Sequence, residues 1–127
     1  MDVRESIDLN YKELYNLTLV IEMCRGDQKS VLKLIKVFIL EISKSVEQLN
    51  VASKEANMGK IKEEIHKVKP TLTYFGTEEI RNELINLETL VHRNSPVYEL
   101  EKSIYSINSI TKMTVARIKK DFSISNN

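Results

Sequence analysis

The sequence has no tryptophan, one cysteine, two prolines and three glycines in 127 residues, and aromatic side chains make up only 6% of it. Each shortage excludes something. A lone Cys24 can form neither an intrachain disulfide nor a cysteine-based zinc site. It sits beside the apolar stretch Leu17–Met23, where a buried, inert thiol is expected. Scarce glycine and proline argue against a strand-rich fold, in which turns would recur every ~8–12 residues. Neither sign of charge dominates: 19 basic and 18 acidic residues leave a net charge of +1, unlike a dedicated nucleic-acid binder. Long apolar runs are also missing. Leu17–Cys24 and Val31–Ile42 are too short or too charged to span a bilayer, and Met1–Asn10 lacks the apolar stretch of a signal peptide. A cytoplasmic protein with no membrane or nucleic-acid partner is the expectation.

What is present is helical. Hydrophobic residues make up 42% of the chain, enough to bury one real core, and the length suits one domain, 1–127, with its core over about 9–122 and a frayed polar tail at 123–127. Apolar residues recur at spacings of three and four, which places them on single helical faces. A first, shorter helix is predicted over Leu9–Met23, with Leu14, Leu17 and Ile21 on its stripe and Leu9 and Val20 beside it. Gly26 suits a helix stop and Asp27 an N-cap. A second helix over Gln28–Ser53 buries Val31, Ile35, Phe38, Ile42, Val46 and Leu49. Asn57 is a candidate cap for a third helix, with Ile61, Ile65, Val68, Leu72 and Phe75 inward. Gly76 can end it, and Thr77 can start a fourth helix facing inward with Ile80, Leu84, Leu87 and Val91. A fifth runs from Val97, through Leu100, Ile104, Ile107, Thr111, Val115 and Ile118, to Phe122. Tyr11, Tyr15, Tyr74, Tyr98 and Tyr105 are expected at the core edge. Four long amphipathic helices with short connections bury their stripes together as an antiparallel four-helix bundle, with the shorter N-terminal helix flanking it.

His66 stands beside the apolar stripe of the third helix, and its neighbours at three and four residues are Lys62, Glu63, Lys69 and Pro70. The ring is therefore expected in solvent, with the Lys69 ammonium one turn ahead on the same side. An unperturbed imidazole titrates near ~6.5 and is a nucleophile when neutral. Nearby lysines favour the neutral ring and would stabilise an anion carried on it, which suits a phosphoryl group better than a metal cation. Pro70 removes the hydrogen bond to the His66 carbonyl and is expected to bend the helix.

The stretch Ile65-His66-Lys67-Val68-Lys69-Pro70-Thr71, with Gly76, resembles the signature of histidine-containing phosphotransfer (HPt) domains. His66, Val68, Lys69, Thr71 and Gly76 match that family's pattern, Leu87-Glu88 resembles its Leu-Glu pair, and the likeness extends from about Leu9 to Phe122. One position departs: the family's glycine four residues after the histidine is Pro70 here. The resemblance implies a phosphocarrier without catalytic machinery of its own. His66, through Nε2, would take a phosphoryl group from a receiver-domain aspartate and pass it to another receiver in a multistep two-component phosphorelay. Lys69 would stabilise the phosphoryl group, and Lys62, Lys67, Pro70 and Thr73 would form the docking surface. The partners implied are receiver domains of hybrid histidine kinases and response regulators. No cofactor or metal is expected on this chain, because the receiver brings Mg²⁺, and a monomer is the expected state.

Two other readings compete. One is an HPt-like helical adaptor that docks receivers or other partners without carrying phosphate, suggested by Pro70. The other is a di-metal bundle, for which Glu63 and His66 supply one Glu-x-x-His pair; the second copy is missing, since Glu88 and His92 are four apart.

Overall fold

The structure, a computed structural model, describes residues 13–125. Among the described residues there are five helices: α1 (Thr18–Met23), α2 (Gln28–Lys54), α3 (Met58–Tyr74), α4 (Glu78–His92) and α5 (Val97–Asp121). The four long helices pack in a ring, each against its neighbours in the chain and α2 against α5, while α1 lies on α2. Three short connections reverse the chain, so the bundle is antiparallel. No helix among the described residues is long and apolar enough to cross a membrane.

The predicted stripes of α2, α3 and α4 are the observed core. Val31, Ile35, Phe38, Ile42, Val46 and Leu49 meet Ile61, Ile65, Val68, Leu72 and Phe75, and both meet Ile80, Leu84, Leu87 and Val91. Phe38 and Phe75 stack with ring centroids 4.3 Å apart, tying α2 to the end of α3. On α5 the buried face is more polar than its apolar stripe suggests: Ser103 and Thr114 join Thr111, while Val115 is only half-buried. Thr114 Oγ1 donates to the Ile110 carbonyl. Thr111 is 4% exposed, and its hydroxyl, like that of Ser103, is buried without a hydrogen-bond partner. An unpaired buried hydroxyl costs about 1–3 kcal/mol. Thr111→Val, which keeps the shape and removes the orphan, is expected to raise stability by about 1 kcal/mol, read as a higher urea midpoint at unchanged m.

The turns follow local chemistry. Asp27 caps α2 by accepting from the Ser30 backbone N–H and hydroxyl. Those bonds, the hydroxyl's first, hold its carboxyl below the usual aspartate range. Asn57 caps α3 by accepting from Lys60 N–H. Thr77 begins α4 but makes no cap bond; fully buried, its hydroxyl donates instead to the Leu72 carbonyl of α3. Past α2 the chain closes with Asn57 N–H on the Ala52 carbonyl, which forces Ala56 to φ +53°. A left-handed conformation costs an L-residue about 1–2 kcal/mol, partly offset in any exchange by the entropy that glycine loses on folding. Ala56→Gly is therefore expected to stabilise the fold by about 0.5–1 kcal/mol, seen as a higher melting temperature.

Several expectations are corrected at the periphery. The first helix is not continuous over Leu9–Met23: residues 13–17 are non-helical, and the portion before residue 13, with Leu9 and Tyr11, lies outside the described residues. Asn16 is the cause. Its side-chain oxygen accepts from both the backbone N–H and the hydroxyl of Thr18, and its own N–H is tied to the Phe75 carbonyl at 3.0 Å. The stripe shifts accordingly, burying Leu17 and Val20 and leaving Ile21 exposed. Cys24 is half-buried rather than buried. Tyr74, Tyr98 and Tyr105 are exposed. Tyr15 alone among the described tyrosines sits at the core edge, tilted against Phe122 and donating its hydroxyl to Asp121. Burial first, then that bond and the Asp121 charge, push its ionisation above the usual tyrosine range. The tail is anchored at least to Ile124, whose N–H reaches the Lys119 carbonyl at 2.8 Å and whose side chain packs on the core.

Candidate functional site

α3 carries the candidate residues. Its inward stripe fixes the rotation of the helix, so His66 turns out toward α4 with its side chain 69% exposed. The helix runs unbroken through Pro70. The His66 carbonyl loses its usual partner there, while Thr73 donates its hydroxyl back to the Lys69 carbonyl at 3.3 Å. That bond places Thr73 one turn beyond Lys69 on the outer side of α3.

The residue that organises this surface comes from the opposite helix. Glu88, half-buried on α4, sets one carboxylate oxygen 3.2 Å from Lys69 Nζ and the other 3.4 Å from His66 Nε2. Lys69 and Glu88 are each 28% exposed. The carboxylate thus bridges the imidazole and the ammonium, and fixes both relative to the α3–α4 seam. A partly exposed pair of this kind is worth about 0–1 kcal/mol, so its consequence lies in geometry and local charge more than in stability.

The sequence-predicted residues separate into two groups. Lys62 lines a shallow open groove with His66, Glu88, Thr89, His92 and Arg93. Lys69 stands beside the histidine through Glu88. Lys67 does not line this groove; it follows His66 by one residue, about 100° round the helix, on the side away from Lys69. Pro70 and Thr73 are exposed on α3. Glu88 was not recognised in the sequence as a partner of His66; it figured there in the Leu-Glu pair and in the incomplete di-metal spacing. His92, weighed above only for a second metal pair, shares the groove with Arg93 at the end of α4. The periodicity of α4 carried a usable signal: Leu84, Leu87 and Val91 point inward, so Glu88 and His92 fall together on one flank of that stripe.

The groove is open, polar and rimmed by cations, a place for a surface partner rather than an enclosed substrate. Among the described residues, no three His, Cys, Asp or Glu side chains converge as a metal site requires.

A ring of four long antiparallel helices with a short N-terminal helix laid across it is the fold of an HPt domain. The chain superimposes on the HPt domain of the Hpt sensor hybrid histidine kinase from Shewanella with a TM-score of 0.68, over 88% of this chain and 96% of that one, at 19% sequence identity. No family model matches the sequence, and no curated protein matches it.

Proposed function

We propose that the protein is a histidine phosphocarrier of two-component signalling, relaying a phosphoryl group between receiver-domain aspartates through His66. The observation that carries this reading is an imidazole 69% exposed in the middle of α3, with the Lys69 ammonium drawn to the same spot, on a bundle with the HPt fold. The chemistry needs little more from this chain. Phosphoryl transfer is governed mostly by positioning and charge neutralisation, and the receiver domain with its Mg²⁺ supplies most of both. The nucleophile must be accessible, because the partner carries the phosphorylated aspartate to it. In this role Lys69 offsets the charge of the bound phosphoryl group. Lys62, Lys67, Pro70 and Thr73, with His92 and Arg93, form the face that meets the receiver. The protein acts as a carrier rather than an independent catalyst, and its partners are receiver domains like those of hybrid kinases and response regulators.

The test is incubation of the purified chain with a panel of phosphorylated receiver domains. Acid-labile, base-stable label passing to the chain supports the relay. If no receiver in the panel donates label while several still bind, the adaptor reading, favoured by Pro70 beside the histidine, replaces it.

A further inference from the structure

Glu88 stands beside the ring nitrogen that would carry a phosphoryl group on His66. Its carboxylate lies 3.4 Å from Nε2 and holds the ammonium of Lys69 at 3.2 Å. We infer that Glu88 is a resident anion that opposes phosphorylation of His66 and raises the tendency of the phosphorylated ring to give its group away. This rests on the phosphocarrier reading, and assigns Glu88 a role opposite to that of a simple support.

Three physical effects act in the same direction. A carboxylate facing Nε2 orients the ring and, in its neutral form, selects the tautomer whose hydrogen is on Nε2, since N–H donates to the carboxylate and a bare lone pair is repelled by it. The nucleophilic form is the other one. In transfer, the Nε2 lone pair forms the N–P bond while the P–O bond to the aspartyl carboxylate breaks. The bonding pair returns to that carboxylate, and the hydrogen of the ring resides on Nδ1. Second, Lys69 is already neutralised by Glu88 and has to leave it to reach the phosphoryl oxygens. Third, a phosphoryl group brings a multiply charged anion to within a few ångströms of a fixed negative charge. Like charges at such distances disfavour one another, and Glu88 is only 28% exposed, so solvent does not screen it fully. The His66–Lys69–Glu88 triangle is therefore a competition for one cation, in which the phosphoryl group displaces the carboxylate.

The experiment uses the full chain and phosphoramidate as a small phosphoryl donor, so that receiver docking plays no part. Wild type, Glu88→Gln, Glu88→Ala and His66→Gln are compared for steady-state phosphohistidine by ³¹P NMR, and for its half-life after the donor is removed. Both Glu88 variants are expected to reach about threefold more label and to hold it about threefold longer, the scale that a partly exposed charge pair supports. A merely structural role for Glu88 would not lengthen that half-life. Glu88→Gln keeps the size of the side chain, and circular dichroism confirms that each variant remains helical. If wild type takes label and the folded Glu88 variants take the same or less, the inference is overturned while the carrier reading stands. Label on the Glu88 variants and not on wild type is its strongest support. No label on any protein overturns the carrier reading and this inference with it.

Discussion

If His66 is the phosphoacceptor, as proposed above, His66→Gln is expected to abolish phosphoryl acceptance while leaving the bundle intact. Glutamine retains a polar group at the surface, but its amide nitrogen lone pair is delocalised and forms no N–P bond. Label from a phosphorylated receiver should fall to background rather than to a reduced level. The side chain is 69% exposed and makes a long approach, 3.4 Å, to Glu88. A surface change of this kind shifts stability by no more than about 0.5 kcal/mol. The informative combination is therefore an unchanged melting curve with no acid-labile label. Label that persists in His66→Gln moves the acceptor elsewhere, and His92, an exposed imidazole lining the same groove, is the residue to test next.

Gly76→Ala is expected to carry the largest cost in stability. Gly76 has φ +61°, and a Cβ there would lie 2.6 Å from Asn16 Cβ and 2.7 Å from both Asn16 N and O. Two of those neighbours are backbone atoms, so no rotamer change relieves the clash. The segment carrying Asn16 has to move, and with it go the Asn16 N–H bond to Phe75 and the seating of Leu17 and Val20 on the core. Left-handed strain adds to the lost packing, for a total of about 3 kcal/mol, near the upper end of single-residue effects. Urea unfolding monitored by circular dichroism measures it. Hydrogen exchange at the Asn16 amide should rise with it, because its carbonyl partner is pulled away. Ala56→Gly is expected to shift stability the other way, which checks that backbone conformation and close approach, rather than glycine content, decide the sign.

Gly76 also shows how a recognisable pattern and its physical cause can differ. In the sequence it marks the end of a helix and completes a spacing that begins at His66. In the structure its missing side chain is what lets the N-terminal segment cross over the end of α3.

The α2, α3 and α4 stripes were readable residue by residue because amphipathic periodicity is local: each buried face repeats within one helix and needs no knowledge of its partner. The same phase put His66 outside the core, and it separates His66 from Glu64, two positions earlier and 3% exposed. Asp27 and Asn57 were readable as caps because they bond within three residues of themselves. Where a residue's partner is remote, the sequence was silent. Thr77 looks like a cap and instead serves α3. Leu14 continues an apolar stripe, but Asn16 ends the helix there by bonding to Phe75. Thr111 weakens a stripe on paper, and only packing decides that its hydroxyl is orphaned.

The sequence by itself therefore determined an all-helical bundle and an exposed histidine with a lysine one turn away, since both follow from contacts within a single helix. Only the tertiary structure decided what faces that pair. Lys69 and Glu88 are 19 residues apart on different helices, and they meet because burial of two apolar stripes fixes the rotation of α3 against α4. That rotation brings one carboxylate to both His66 and Lys69.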